Sequence, residues 1–409
     1  MTAHLPKAEW TQRASLAKLV ETLGADDIRW VGGCVRDTML DYRAHDIDAA
    51  TRHLPATVID RCKDAGIRTI PTGIDHGTVT AIFDDGNVEI TTLRRDVATD
   101  GRRATIAFSH EWKDDAARRD FTINALYAHP ETLEISDYFG GLADLSARRV
   151  RFIGDAETRI QEDHLRILRY FRFATRFGDG WDEEATAACS ALAPTLKGLS
   201  RERVGWEMQN LLALPDPSAT IAKMRALGVL QEVLPECGRR EVDQLGRLIE
   251  AERAADMEPD AMRRMAALLP AVPPVAEAVS ARLRLSRSQR DRLMCVARRD
   301  ARDGDRPRGL AYDVGKDCAL DRLLIAGKDP SSILGWEAPR FPLKGGEIVA
   351  RGVGKGPEVA RILQRIEKRW VDEQFPPRTR VEELLDEELA ARRTSTLCAL
   401  QRRLRCTAA

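Results

Sequence analysis

Past Val150 the sequence changes texture, and that change constrains the fold more than any single motif. EDHLRILRYFRFATRF (162–177), RERVGWEMQNLLA (201–213) and EVARILQRIEKRWVDEQF (358–375) are rich in Arg, Glu, Leu and Ala and place apolar residues at helical spacing. Between about residues 27 and 145 the text is different. Short β-rich runs alternate with turns: IRWV, DIDAA, then GTVTAIF and VEITTL joined by DDGN, a hairpin signal. The chain therefore reads as α+β, a mixed-sheet head followed by an all-helical remainder. All seven histidines lie at or before His164. A histidine–aspartate phosphohydrolase domain or a zinc-binding helix therefore cannot be built in the helical half.

With 409 residues the chain is too long for one ordinary core. Proline clusters at 214–218 and 269–275 and the loop at 335–346 are candidate joints between helical subdomains. The 64 basic and 64 acidic residues cancel, so no global field draws the chain to nucleic acid or membrane, and a polyanion must meet a local patch. MAALLPAVPPVAEAV is too short and proline-broken to span a bilayer, and MTAHLPKAEW shows no export pattern, so the expected setting is cytoplasmic. The eight cysteines include no CxxC pair, which predicts reduced structural thiols, no disulfide and no structural metal.

Two short features carry chemistry. IRWV reads as a buried strand, Gly32-Gly33 as a turn, and Val35–Leu40 as the start of a helix, so backbone N–H groups with Arg36 and Arg43 nearby could cradle a phosphate. A glycine pair before a helix is also ordinary chain punctuation. Downstream, if Asp46, Ile47 and Asp48 lie on a strand, both carboxylates share one face while Ile47 enters the core. Paired carboxylates repel unless a cation lies between them, and hard oxygen ligands suit Mg²⁺. A solvated edge strand shows the same alternation; the upstream glycines favour the metal.

The order GG, VRD, DID resembles the nucleotidyltransferase superfamily of DNA polymerase beta, and within it the class II CCA-adding tRNA nucleotidyltransferases and bacterial poly(A) polymerases. ARRDFTINAL (117–126), DYFGGLADLSARRVRFIGD (137–155), EDHLRILRYFRFATRF and SRERVGWEM (200–208) extend the resemblance in the same order. It implies a head (1–150) with a mostly antiparallel or mixed five-stranded sheet, a helical neck (151–235), a body (236–335) and a tRNA-binding tail (336–409). It also implies addition of C, C and A to tRNA from CTP and ATP, with no membrane and no obligate protein partner. A poly(A) polymerase shares these motifs, and a catalytically silent RNA-binding protein could keep the fold.

By the same resemblance Asp46 and Asp48 hold two metal ions between an RNA 3′-hydroxyl and a triphosphate. Glu89 is a helper carboxylate or else the partner of an arginine such as Arg94. Gly32, Gly33, Arg36, Arg119, Asp120 and Asn124 belong to the nucleotide site, with Asn124 or Asp120 at the ribose 2′-hydroxyl. Read from the residues alone, Asp120 is also a helix cap.

On one continuous helix Asp163, Arg166 and Arg169 would share a stripe. As a surface ladder they would stabilise by only ~0.3–0.5 kcal/mol per pair, a weak reason for these residue types. As a template they make sense. A carboxylate accepting from an exocyclic amino group, beside a guanidinium donating to a ring nitrogen, fits both cytosine and adenine; guanine and uracil reverse that order and leave groups unpaired, at roughly 1–3 kcal/mol each. Glu162 would orient Arg166, and Arg169 would reach the triphosphate or stack on the base. The polar stretch 96–118 reads as a surface loop, where the resemblance places a flexible loop that helps switch the pocket from C to A. For RNA, Arg351 and Lys355 in RGVGKGP could turn a glycine-rich segment onto a phosphate, or form a plain interhelical turn; the resemblance favours RNA.

Overall fold

The computed structural model describes residues 3–100 and 103–406. They form two compact units, one of residues 1–237 with 282–284, the other of residues 238–281 with 285–409.

The first unit opens with α1 (Ala14–Leu23), whose Leu16, Leu19, Val20 and Leu23 form one buried stripe. Its sheet has seven strands rather than five: β1 (Ile28–Val31), β2 (Ile47–Thr51), β3 (Arg68–Gly73), β4 (Thr78–Ile82), β5 (Val88–Thr92), β8 (Leu126–Ala128) and β9 (Ile135–Asp137). The order is β3-β4-β5-β2-β1-β8-β9. The strands missed are the outer ones, where β3 is largely exposed and β8 and β9 have three residues each, too short to show an alternation. Only β2 and β5 pair in parallel, which sets Asp48 directly opposite Glu89. Helices α2 (Gly33–Met39) and α3 (Pro55–Asp64) follow β1 and β2.

Residues 94–108, expected as a loop, form instead a hairpin of β6 (Arg94–Asp100) and β7 (Arg103–Phe108). The run shows no apolar alternation in sequence because charged and small residues dominate it. Arg102, within the stretch 96–118, lies outside the described residues. Next come α4 (Trp112–Ala117), α5 (Gly141–Ser146), α6 (Ala156–Glu162), α7 (Arg166–Phe177), α8 (Glu183–Ala191) and α9 (Arg201–Leu212). Phe121 joins the head to α7 through ring contacts with Phe152 and Phe173, both at 5.1 Å, and with Tyr170 at 6.3 Å.

The second unit is helical throughout its described residues. One of its cores packs Ile362, Ile366 and Trp370 from the helix Pro357–Asp372 against Val381, Leu384 and Leu385 of the next. A second finding corrects the expectation of free thiols. Cys295 and Cys318 are disulfide-bonded, with Cα atoms 6.3 Å apart, because helices Arg287–Val296 and Lys316–Ile325 pack side by side. Linear spacing does not reveal that neighbourhood. Cys34, Cys62 and Cys189 are free and buried, and Cys237 is buried. Among the described residues no helix is long and apolar enough to cross a membrane.

Candidate active site

The carboxylate side of the site begins at the N-terminal end of β2. Asp46 is an exposed bend residue just before the strand rather than within it, Ile47 is buried, and Asp48 is half-buried beside Glu89. Burial, then the Glu89 charge, then Asp46 push the Asp48 carboxyl up to about 6, against the pull of Arg119 and Arg36. No cation among the described residues is bonded to Asp48 or Glu89, so Glu89 does not take the arginine partner that a sheet glutamate ordinarily finds. Arg94 donates to the His76 carbonyl. This unrelieved repulsion fits a divalent cation. No group of three or more His, Cys, Asp or Glu side chains among the described residues forms a ready-made cage. A metal here would complete its oxygen shell with water and phosphate, as Mg²⁺ commonly does.

Gly32 adopts φ +74°, and a Cβ there would lie 3.2 Å from an Arg119 Nη1. Arg119 thus backs the glycine turn while its Nε donates to the Tyr127 hydroxyl (3.0 Å) and its Nη2 to Asp115 (3.2 Å). Asp115 is buried, which opposes its charge, but Arg119, Arg118 and the Tyr127 hydroxyl outweigh that and hold its carboxyl below the ordinary range. Gly33 starts α2. Arg36 does not face a phosphate: it is only 6% exposed, bonds Asp37 and Asn124, and lies 4.1 Å from the Phe177 ring centroid. The helical period that put it near the turn also turned it inward. Arg43 lines a separate cavity of about 430 Å³ with Trp10, Arg13 and His45.

Asp120 caps no α-helix. It accepts the N–H of Phe121 and the Asn124 amide, both at 2.9 Å, ahead of a single 3₁₀ turn at Thr122–Asn124. Its other oxygen takes the Arg169 guanidinium. Burial would raise this carboxyl, but Arg169, Asn124 and Arg166 together hold it at about 2. Arg169 is therefore a partner of Asp120 rather than a free head.

The stretch 162–177 is two helices, not one. Asp163 leaves α6 with φ −151° and ψ 102°, and its Oδ1 accepts the N–H of Leu165 (3.1 Å) as α7 begins. A short polar side chain that satisfies backbone groups outside a helix has won over helical propensity. The stripe is broken, yet Asp163, Arg166 and Arg169 still line one cavity of about 660 Å³ together with Arg119 and Asp120. Arg166 is fixed by Glu162 (2.6 Å), the Arg159 carbonyl (2.9 Å) and the Arg118 carbonyl (3.0 Å). Three of its five N–H donors are used, leaving two.

Sequence reading missed the far wall, supplied by α9. Arg203 bonds the second Asp163 oxygen at 2.6 Å. Glu207, 1% exposed, receives Arg172 at 2.7 Å and lies 3.7 Å from Arg169. The signal available was RERVGWEM itself, in which Arg203 and Glu207 stand four apart on one helical face. In the second unit Lys355 is exposed in the turn before the helix Pro357–Asp372, and no ion pair engages it among the described residues. Arg351 pairs with the exposed Asp386.

Two family profiles match, "Poly A polymerase head domain" over residues 28–151 and "Probable RNA and SrmB- binding site of polymerase A" over residues 182–238. A structure of the Bacillus stearothermophilus CCA-adding enzyme in complex with CTP superposes with a TM-score of 0.76 at 24% identity, over 95% of this chain and 100% of that one. The Thermotoga maritima CCA-adding enzyme complexed with tRNA gives 0.70 at 21% identity, over 92% and 95%. These likenesses establish the fold. The CCA-adding enzyme of Streptococcus pneumoniae serotype 19F is 39% identical over 54% of this chain and 55% of its own length. Mitochondrial CCA tRNA nucleotidyltransferase 1 of Mus musculus is 33% identical over 84% of this chain and 82% of its own length. Identity at that level along most of both chains, on the same architecture, means that this chain belongs to the CCA tRNA nucleotidyltransferase family.

Proposed function

We propose that this chain rebuilds the 3′ end of tRNA, adding C, C and A in order from CTP and ATP without a nucleic-acid template and releasing pyrophosphate. One observation supports it above the others: Arg119 stands between the glycine turn beside Asp48 and the cavity lined by Asp163 and Arg166. A triphosphate and its base need those two chemistries next to each other.

Asp46 and Asp48 are the carboxylates suited to Mg²⁺, which when bound would lower the pKa of the RNA 3′-hydroxyl and neutralise the departing pyrophosphate. Gly32, Gly33 and Arg119 bound the phosphate end. Arg36 holds Asn124, and Asn124 holds Asp120, so the ribose-facing groups are positioned by a chain of hydrogen bonds rooted in α2. Asp163 accepts from the exocyclic amino group of cytosine or adenine, and an unspent Arg166 N–H donates to the adjoining ring nitrogen. Glu162 and two backbone carbonyls keep Arg166 in that orientation, so discrimination is prearranged rather than formed on binding. Arg169 serves by fixing Asp120. In the second unit Lys355 is the phosphate contact we assign to the tRNA, and Arg351, engaged by Asp386, is a minor one.

The test is incorporation into tRNA lacking its 3′ end, with CTP and ATP supplied separately and together. Ordered C, C, A followed by arrest is expected; a long A tail would mean poly(A) synthesis. An Asp46→Ala, Asp48→Ala double variant that still incorporates nucleotide would remove the basis of the assignment.

A further inference from the structure

Trp206 on α9 is 59% exposed, more than any other large apolar side chain among the described residues. Its placement is set by its neighbour. At Gly205 the α9 backbone comes so close to Leu283 that a Cβ would stand 2.7 Å from the Leu283 carbonyl oxygen. That contact fixes the rotation of α9, and Trp206 becomes part of the wall of the cavity that holds Asp163 and Arg166. Arg172 is held by buried Glu207 and lies 6.0 Å from the indole centroid, at the limit of a cation–π contact.

Asp163 and Arg166 can touch a base only along its edge, in the plane of the ring. A base held that way still exposes both faces. Of the residues lining this cavity, Trp206 is the one aromatic. Every base has a π-face, so an indole accepts cytosine and adenine alike and leaves selection to the edge groups.

We propose that Trp206 is the stacking platform for the base of the incoming nucleotide. This rests on the reading of Asp163 and Arg166 given above. Stacking on one aromatic side chain contributes ~1–3 kcal/mol per base, which converts to about a 5- to 150-fold change in affinity.

The experiment is binding of CTP and ATP, with Mg²⁺ and without tRNA, to the full chain and to W206A, W206F and D163A, each checked for an unchanged unfolding profile. W206A should bind both nucleotides about 5- to 150-fold more weakly, W206F should recover most of that loss, and neither should alter discrimination against UTP and GTP. W206A should bind tRNA as the unaltered protein does. If D163A loses CTP but W206A does not, the platform is wrong and the reading of the site stands. D163A binding CTP normally would overturn the site reading itself. W206A with normal nucleotide binding and weakened tRNA binding would give the indole to the RNA and overturn this proposal, as would a W206F no better than W206A.

Discussion

Replacing Asp48 with Asn should abolish nucleotide incorporation and, in metal-free buffer near neutral pH, make the protein more stable. The Asp48 carboxyl sits at about 6 in the fold against an ordinary 3.8. A gap of roughly two units at ~1.4 kcal/mol each gives at most ~3 kcal/mol, and partial exposure reduces it to ~1–3 kcal/mol. Folding raises this pKa, so the folded state holds the proton more tightly than the unfolded one. The associated stability is complete below about pH 4 and is lost as pH rises through about 6. Asparagine carries no charge to be buried or to repel Glu89 and Asp46, so it escapes that loss. Thermal unfolding of the full chain in EDTA at pH 7.5 should show the transition of the first unit raised by roughly 2–12 °C in D48N, at ~2–4 °C per kcal/mol for a unit of this size. At pH 4 the two proteins should differ little. Added Mg²⁺ should then raise the transition of the unaltered protein and leave D48N almost unmoved. A D48N variant no more stable than the parent at pH 7.5 in EDTA would refute the claim that these carboxylates are held in mutual repulsion.

Glu207→Ala strands Arg172 beside a buried gap, while Arg169 keeps Asp120, and should destabilise by ~3–5 kcal/mol in urea unfolding, the usual loss when one partner of a buried ion pair is removed. An unchanged midpoint would mean the pair is not buried in solution. The Cys295–Cys318 bond closes a separation of 23 residues, so dithiothreitol should lower the stability of the second unit by ~3 kcal/mol, and Cys295→Ser should abolish the sensitivity to the reductant. Lys355→Ala should weaken tRNA binding and lessen its salt dependence by roughly one counterion, whereas Arg351→Ala should change that slope little because Asp386 already engages Arg351. Equal effects from both substitutions would place the RNA elsewhere.

What the sequence disclosed was local. The hairpin of β4 and β5 needs only alternation and a DDGN turn, and α7 needs only its apolar spacing, so both were readable. The break at Asp163 was not, because Asp163 leaves the helix to accept the Leu165 N–H ahead of α7 and to meet Arg203, 40 residues away. Arg36 was placed near the glycine turn correctly, but its burial under Phe173 and Phe177 depends on α7 packing over α2. The disulfide was hidden for the same reason: two helices must first pack before their cysteines are neighbours. Residue types and spacing disclose a contact when its partners lie within a turn or a hairpin, and fail when the partner arrives from another element.

The two ends of the site are built on opposite energetic terms, and the difference accounts for the division of labour. At the base-reading end almost every charge is matched: Glu162 with Arg166, Asp120 with Arg169, Glu207 with Arg172, Asp163 with Arg203. Satisfied pairs in a low-dielectric setting are stiff, and on the proposed reading a stiff edge would separate cytosine and adenine from guanine and uracil. At the carboxylate end burial, Glu89 and Asp46 push the Asp48 carboxyl up, and the pull of Arg119 and Arg36 does not offset them. That end gains its missing charge only when a cation arrives, and phosphate oxygens can complete the cation's shell. Matching the carboxylate end with a fixed lysine would stabilise the fold but remove the vacancy for the ion. Leaving the base end unmatched would let guanidiniums and carboxylates reorient toward any base. On the proposed reading the arrangement would therefore keep selection rigid and confine the unrelieved repulsion to the place where the reaction would use a metal.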